Sequence, residues 1–312
     1  MPPRVVAVDP VLGPLTCDAL TKDFEVFQRA KGHRFSVDDV ATAYVAFQAL
    51  GGIPPKDALD LGCGLGSVLL HLAWKWPETR FVGVEAQELS FALVTKNLAH
   101  NQLPESRVRA FYGDLRDRAV YAEAVPAGGF ALITGTPPYF PPDTAVDALD
   151  SQRAYARIEY RGGVEAYIEA AGHLLAEDGI FVLCGDARAT PRVAKAAEEF
   201  RLCIHEETGI VAREGKPALF AVWTLRRNTL NAARPSARAL VIRDAHGERA
   251  QEDRPSGLVA EENHREGGAE ASEEPSGGQE RRFGDSKTIT NREALVPREE
   301  EKRRRLTGRH EE

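Results

Sequence analysis

Two spacings of apolar residues alternate along the first 230 positions of the chain. Short apolar runs that stop at a glycine or an acid predict strands, and longer stretches with apolar residues three and four apart predict helices. Ser36-Val37-Asp38-Asp39 opens a helix with a sequence like a capping box, and Val40, Tyr44, Phe47 and Leu50 follow at helical spacing. From Asp57 the order reads strand 58–62, helix 66–76, strand 80–85, helix 88–101 and strand 107–113. An irregular acidic stretch comes next, then strand 130–135, helix 163–176, strand 180–185, helix 191–199 and strands near 201–212 and 218–227. Strands separated by helices predict a parallel sheet with right-handed crossovers. Arg213-Glu214-Gly215-Lys216-Pro217 is too short for a crossover helix, so the last two strands are expected to pair antiparallel. The expected fold is α/β, a seven-stranded sheet with an antiparallel final strand and helices on both faces.

Composition changes this picture only at the end of the chain. The 312 residues are 43% hydrophobic, enough for a sizeable core. After about residue 250, however, the sequence is rich in Glu, Arg, Gly, Ser and Pro, and Phe283 is the one aromatic from Asn231 onward. A segment with so little apolar surface cannot offset its ordering entropy, so 251–312 is expected to be a disordered charged tail. The expected division is a helical N-terminal segment 1–56, a catalytic domain 57–230, a C-terminal extension 231–250 and the tail. Lys302-Arg303-Arg304-Arg305 follows Glu299-Glu300-Glu301, a charge-mixed context that favours a solvated tail over a nucleic-acid patch. Cys17, Cys63, Cys184 and Cys203 have no paired spacing, which predicts a reducing, cytoplasmic setting and no metal site. No run approaches the length of a membrane span, so no membrane partner is expected. A monomer is the default, because nothing in the sequence reports on oligomeric state.

The first candidate chemistry is the loop Asp60-Leu61-Gly62-Cys63-Gly64-Leu65-Gly66, between a predicted strand and a predicted helix. Glycines there let the backbone turn sharply and approach a ligand closely. Ser67 stands where a dinucleotide fingerprint has its last glycine, and no Lys-Ser/Thr follows, so nicotinamide and nucleoside triphosphate sites are disfavoured. The next strand ends in Glu85, 23 residues after Gly62, where nucleotide-binding α/β units place a carboxylate for ribose hydroxyls. A third run ends in Gly113-Asp114. At the tip of the fourth strand lies Thr134-Gly135-Thr136-Pro137-Pro138-Tyr139-Phe140. Two prolines fix the backbone there, so a carbonyl can be aimed at a planar nitrogen while a neighbouring ring stacks on its plane.

The glycine loop preceded by an acid resembles the first motif of class I S-adenosylmethionine (SAM)-dependent methyltransferases. The Pro-Pro-Tyr tip resembles the motif of members that methylate amino groups of nucleic-acid bases or glutamine side chains. The resemblance is nearest to bacterial tRNA adenine N6-methyltransferases that modify an anticodon-loop adenine of a valine tRNA. Gly32 to Asp38, Lys96 to Asn101, the Pro-Pro-Tyr-Phe tip and Ala156-Arg157-Ile158-Glu159 carry it across about residues 20–227. It implies a Rossmann-like methyltransferase sheet, SAM as cofactor, and tRNA or another RNA as substrate. It also implies roles for single residues. Asp60, Gly62, Cys63 and Gly64 would face the methionine part of SAM, Glu85 the ribose, and Asp114 with the Leu115 N–H the adenine. Thr136, Pro137, Pro138 and Tyr139 would hold the accepting nitrogen.

Thr136 departs from the family's asparagine, and a single short hydroxyl replaces an amide oxygen in that place. Charge also speaks against a polyanionic substrate, since the chain carries −7 overall. Residues 1–230 hold 24 Lys and Arg against 29 Asp and Glu. Two arginine groups stand out: Arg153, Arg157 and Arg161 after the Pro-Pro tip, and Arg226, Arg227, Arg234, Arg238 and Arg243 in a stretch without acids. Phosphate binding and surface pairing with acids both account for them. A methyltransferase acting on protein glutamine or a small molecule, and a non-catalytic SAM-binding module, stay open as alternatives. The scattered histidines are expected to be surface or core residues, because an amine can attack first and lose its proton afterward.

Overall fold

A computed structural model describes residues 4–142, 150–228 and 235–244, all within one unit spanning Met1–Asn263. The expected tail 251–312, with its basic run at 302–305, lies outside the described residues, as do 245–250 and Arg234. The chain opens with β1 (Ala7–Asp9), β2 (Gly13–Ala19) and β3 (Glu25–Arg29), an antiparallel meander, followed by α1 (Val37–Ala49). The α/β layer continues with β4 (Asp57–Leu61), α2 (Ser67–Lys75), β5 (Arg80–Glu85), α3 (Glu88–His100), β6 (Val108–Tyr112) and β7 (Phe130–Gly135). It closes with α4 (Ser151–Arg157), α5 (Val164–Leu174), β8 (Leu175–Gly185), α6 (Thr190–Glu199), β9 (Leu202–Val211), β10 (Phe220–Arg227) and β11 (Ser236–Val241).

The large sheet has the order β11-β9-β10-β8-β7-β4-β5-β6. Strands β6, β5, β4, β7 and β8 run parallel, whereas β10 is antiparallel to both β8 and β9. The chain order reverses between β4 and β7, so the carboxyl ends of β4, β5, β6 and β7 border one crevice, the usual ligand position in open α/β sheets. Two apolar layers cover the sheet: one joins α1, α2 and α3 to its front, with Leu69, Leu72 and Leu93 buried, and the other joins α5 and α6 to its back, with Ile168 and Val193 buried.

Three expectations need correction. The sheet has eight strands, because Ser236–Val241 in the expected extension pairs parallel with β9. The N-terminal segment is not helical before α1. Its strand β3 hides its alternation, since the inward position beside Val26 is Gln28, which is fully buried and bonded to Asp18 and to the Phe35 N–H. The acidic stretch before β7 contains a short 3-10 segment, Arg118–Ala124, and α4 forms where no helix was expected. Asp150 caps α4, its side chain accepting from the Arg153 N–H.

Candidate active site

The glycine loop turns through three left-handed residues, Gly62, Gly64 and Gly66, with φ between 58° and 92°. Gly62 has a second reason to lack a side chain, because a Cβ there would sit 2.1 Å from the Tyr167 hydroxyl oxygen. The same ring lies against Gly135, so Tyr167 of α5 is wedged between the tips of β4 and β7. Two hydrogen bonds join the loop to the tip of β5. The Cys63 N–H donates to the Val84 carbonyl at 2.9 Å, and the Gly64 N–H donates to Glu85 Oε2 at 2.8 Å. Glu85 Oε1 accepts from the Gln87 N–H at 2.6 Å, so backbone amides fix both carboxylate oxygens. Burial raises the Glu85 carboxyl and these amides oppose the shift.

Asp60 sits behind the loop. Its Oδ1 accepts from the Thr134 hydroxyl at 2.7 Å, whereas Oδ2 is buried with no hydrogen-bond partner among the described residues. Burial pushes its carboxyl up to about 7. Asp39 of α1 reaches the same region and lines the cavity, and burial, then the neighbouring Asp38, push it up as well. Two carboxyls with one orphaned oxygen form a receptor for positive charge.

The cavity holds about 860 Å³ including its open mouth, and its wall includes Gly62, Cys63, Gly64, Glu85, Asp114, Leu115, Thr136 and Pro138. Seven of the residues expected from the sequence therefore share one wall with Pro138. Asp114 stands at the tip of β6, and the Arg116 guanidinium at 2.6 Å holds its carboxyl below the usual range. Leu115 is buried, and its carbonyl accepts from the Tyr121 hydroxyl at 2.8 Å.

Asp60, Pro137 and Tyr139 do not line this cavity. The Tyr139 hydroxyl donates to Asp38 Oδ2 at 3.1 Å and lies 3.1 Å from Cys184 Sγ. Its half-buried ring packs on the front core, and burial pushes the phenol up. The expected stacking ring is thus an anchor between the Pro-Pro tip and α1. Sequence reasoning also missed His33, Phe35, Asp39, Tyr155 and Tyr167 on the cavity wall, where Arg161 of the first arginine group joins them. They come from elements remote in the chain, and no motif spacing connects them. His33 in particular is neither a surface nor a core residue; burial lowers it, and Arg153 and Arg157 add to that shift.

Two buried amides hold the outer pieces in place. Asn97 of α3 accepts from the Phe27 N–H at 2.7 Å and donates to the Leu65 carbonyl at 2.9 Å, which ties the meander to the glycine loop. Gln152 of α4 accepts from Arg29 and from the His33 N–H, each at 3.2 Å, and donates to Ser90. Two members of the second arginine group are structural: Arg227 donates to the Gly172 and Leu175 carbonyls, and Arg238 pairs with Glu206 at 2.9 Å. Cys17, Glu25 and His100 bring three metal-type donors together, which linear spacing did not reveal. The Glu25 carboxylate pairs there with His100 at 3.0 Å, and burial pushes the Cys17 thiol up to about 11.

Residues 35–149 match the family model of the methyltransferase small domain. Those residues carry a methyltransferase small domain. The chain is 29% identical over 211 residues to a protein of Porphyromonas gingivalis named tRNA1(Val) (adenine(37)-N6)-methyltransferase, covering 64% of this chain and 81% of that one. A protein of the same name from Pectobacterium carotovorum is 28% identical over 195 residues, covering 60% and 71%. The fold matches a crystal structure of a predicted O-methyltransferase from Agrobacterium tumefaciens with a TM-score of 0.52, at 18% identity, covering 69% of this chain and 92% of that one.

SAM is the cofactor of this methyltransferase, and the donor set suits it. Its sulfonium and ammonium are cations, and the orphaned Asp60 oxygen with the inward-facing Asp39 offers them buried negative charge. When bound, SAM supplies an electrophilic methyl group on sulfur. The contribution of the chain is to fix that group and to exclude water around it.

Proposed function

We propose that this methyltransferase acts on RNA and transfers its methyl group to an amino nitrogen, N6 of an adenine in tRNA. The observation that carries this reading is the cationic rim of the cavity. Arg153 and Arg157 stand close enough to depress His33, and Arg161 lines the wall beside Thr136 and Pro138. Among the described residues no carboxylate lies within ion-pair distance of these three arginines, which suits a phosphate backbone arriving from solvent. Arg157 instead lies over the Phe140 ring at 5.5 Å. The names of the Porphyromonas and Pectobacterium relatives support the same substrate.

In this reading Asp60 with Gly62, Cys63 and Gly64 faces the methionine part of SAM. Glu85 accepts from the ribose hydroxyls, and Asp114 with the Leu115 N–H reads the adenine. Thr136 and the Pro137 carbonyl accept from the exocyclic NH₂ of the target, which frees the nitrogen lone pair for attack. Pro138 stiffens that tip, and Tyr139 anchors it to α1. Residues 57–230 form the catalytic domain and 1–56 the N-terminal cover. Four free cysteines are consistent with a reducing cytoplasm.

Thr136 favours a second reading, an amide or small-molecule acceptor, because its hydroxyl cannot span the two acceptor positions that an asparagine offers. One assay separates them: methyl transfer from radiolabelled SAM to unmodified tRNA, rRNA and protein fractions in parallel. Label in the tRNA fraction, in N6-methyladenosine, is the expected result. Label confined to protein or small molecules overturns it.

A further inference from the structure

Arg161 differs from the other arginines near the cavity. It lies in the turn between α4 and α5, and its guanidinium carbon is 4.5 Å from the centre of the Tyr155 ring. Its Nη1 is buried and has no hydrogen-bond partner among the described residues. Such a donor carries a desolvation cost that a ligand oxygen recovers. The charge of Arg161 reaches Glu85 and Asp114, where it adds to the lowering of Asp114 and opposes the rise that burial causes in Glu85. The shifts of Asp39 and Asp60 come from burial and neighbouring acids instead. Arg161 therefore stands at the tips of β5 and β6, where the proposed function puts the adenosine half of SAM. That half carries no anion. A phosphate oxygen of the acceptor matches the Arg161 charge better than the neutral ribose and adenine.

We propose that Arg161 binds a backbone phosphate oxygen of the RNA beside the target adenine. Tyr155 is its positioning residue, holding the guanidinium plane by cation–π contact. A guanidinium suits this task because its planar donors match phosphate oxygens. Arg153 and Arg157 at the rim add long-range attraction, whereas Arg161 sits inside the wall and fixes the register of the strand. This inference rests on the RNA reading above and names the group that reading leaves unassigned.

The test uses the full chain saturated with S-adenosylhomocysteine and a fluorescent anticodon stem-loop RNA of a valine tRNA. Binding is followed by anisotropy at several salt concentrations, and the slope of log K against log salt is taken for each variant. Arg161→Gln is expected to weaken RNA binding roughly tenfold or more. It should also reduce the slope by about 0.7, the loss of one single-strand phosphate contact. Affinity for S-adenosylhomocysteine should stay within about twofold of wild type, since the variant removes no proposed cofactor contact. Arg161→Lys should keep the slope while losing affinity, and Tyr155→Ala should fall between wild type and Arg161→Gln. An unchanged slope in Arg161→Gln overturns the proposal, as does a loss of cofactor affinity larger than the loss of RNA affinity. Methyl transfer to the same RNA is scored separately. RNA binding that depends on Arg161 without methyl transfer overturns the adenine reading alone; methyl transfer with an unchanged slope overturns the Arg161 assignment alone. Failure of the wild-type protein to bind the RNA overturns both.

Discussion

Buried carboxyls give the site a pH signature. Asp60 has a folded-state value of about 7 against an ordinary value near 4, so between these limits the folded protein binds more protons than the unfolded chain. Stability without ligand is therefore highest at the acidic end of that window and falls as pH rises through about 7. Asp39 and Glu85, also raised, act in the same direction, and His33, lowered by burial, acts against them. The depressed carboxyls of Asp114, Glu165 and Asp186 contribute below this window, where they lose stability as pH falls. Asp60→Asn keeps the Thr134 contact and removes the titration. Its melting temperature should exceed the wild-type value most at pH 8 and least at pH 5, while its SAM affinity falls. Parallel melting curves across that range would show that Asp60 does not titrate in the fold.

Tyr139 offers a sharper residue-scale test, because its two roles predict opposite results for one atom. A ring that only stacks on the acceptor loses nothing in Tyr139→Phe. An anchor loses the hydroxyl that donates to half-buried Asp38, at about 1 kcal/mol for one such hydrogen bond. The expected outcome is a lower melting temperature with SAM binding retained. Unchanged stability would return Tyr139 to the stacking role. The Pro-Pro-Tyr motif was legible in the sequence, yet the direction of its ring was not. Asp38 and Cys184, which hold the hydroxyl, lie 101 and 45 residues away, and spacing carries no information on such contacts.

At the scale of elements, strand tips and helix starts account for what the sequence revealed. Gly62, Glu85, Asp114 and Thr136 each lie at or just past the end of a strand, where an apolar run breaks in a way the pattern exposes. Tyr167 is the counterexample. It looks like one more apolar position on α5, but its ring fills the space that Gly62 and Gly135 leave open. Gly62→Ala therefore meets two obstacles, a φ of +62° and a Cβ 2.1 Å from the Tyr167 oxygen. Together they should cost at least about 2 kcal/mol and weaken SAM binding. Tyr167→Phe in the same chain removes the nearest clash but not the backbone strain. The double variant should regain part of the lost stability, measured by chemical denaturation. If it is no more stable than Gly62→Ala, the ring and the loop are not coupled as the contact implies.

The whole molecule ends its sheet in an unexpected way. A seven-stranded sheet would leave β9 as an edge, with a row of unpaired backbone groups. Here β11 covers it from Ser236 to Val241, and the Ile242 N–H adds a bond to the Val211 carbonyl. Ser-Ala-Arg-Ala-Leu-Val has weak alternation and four of its six residues are exposed, so nothing in its pattern marks a strand. Only its partner reveals it. Leu240 and Ile242 pack against the front core, and Arg238 pairs with Glu206 on the covered strand. Two truncations separate this contribution from that of the chain beyond it. Ending the protein after Asp244 removes a segment whose composition has little apolar surface to bury, so the melting temperature should hold within a degree or two. Ending it after Asn228 also removes β11 and opens the edge of β9. That loss should cost about 1–3 kcal/mol, or several degrees in a domain of this size, and favour self-association through the freed edge. Equal melting temperatures and equal monomer content for the two truncations would show that β11 lies on the sheet without holding it.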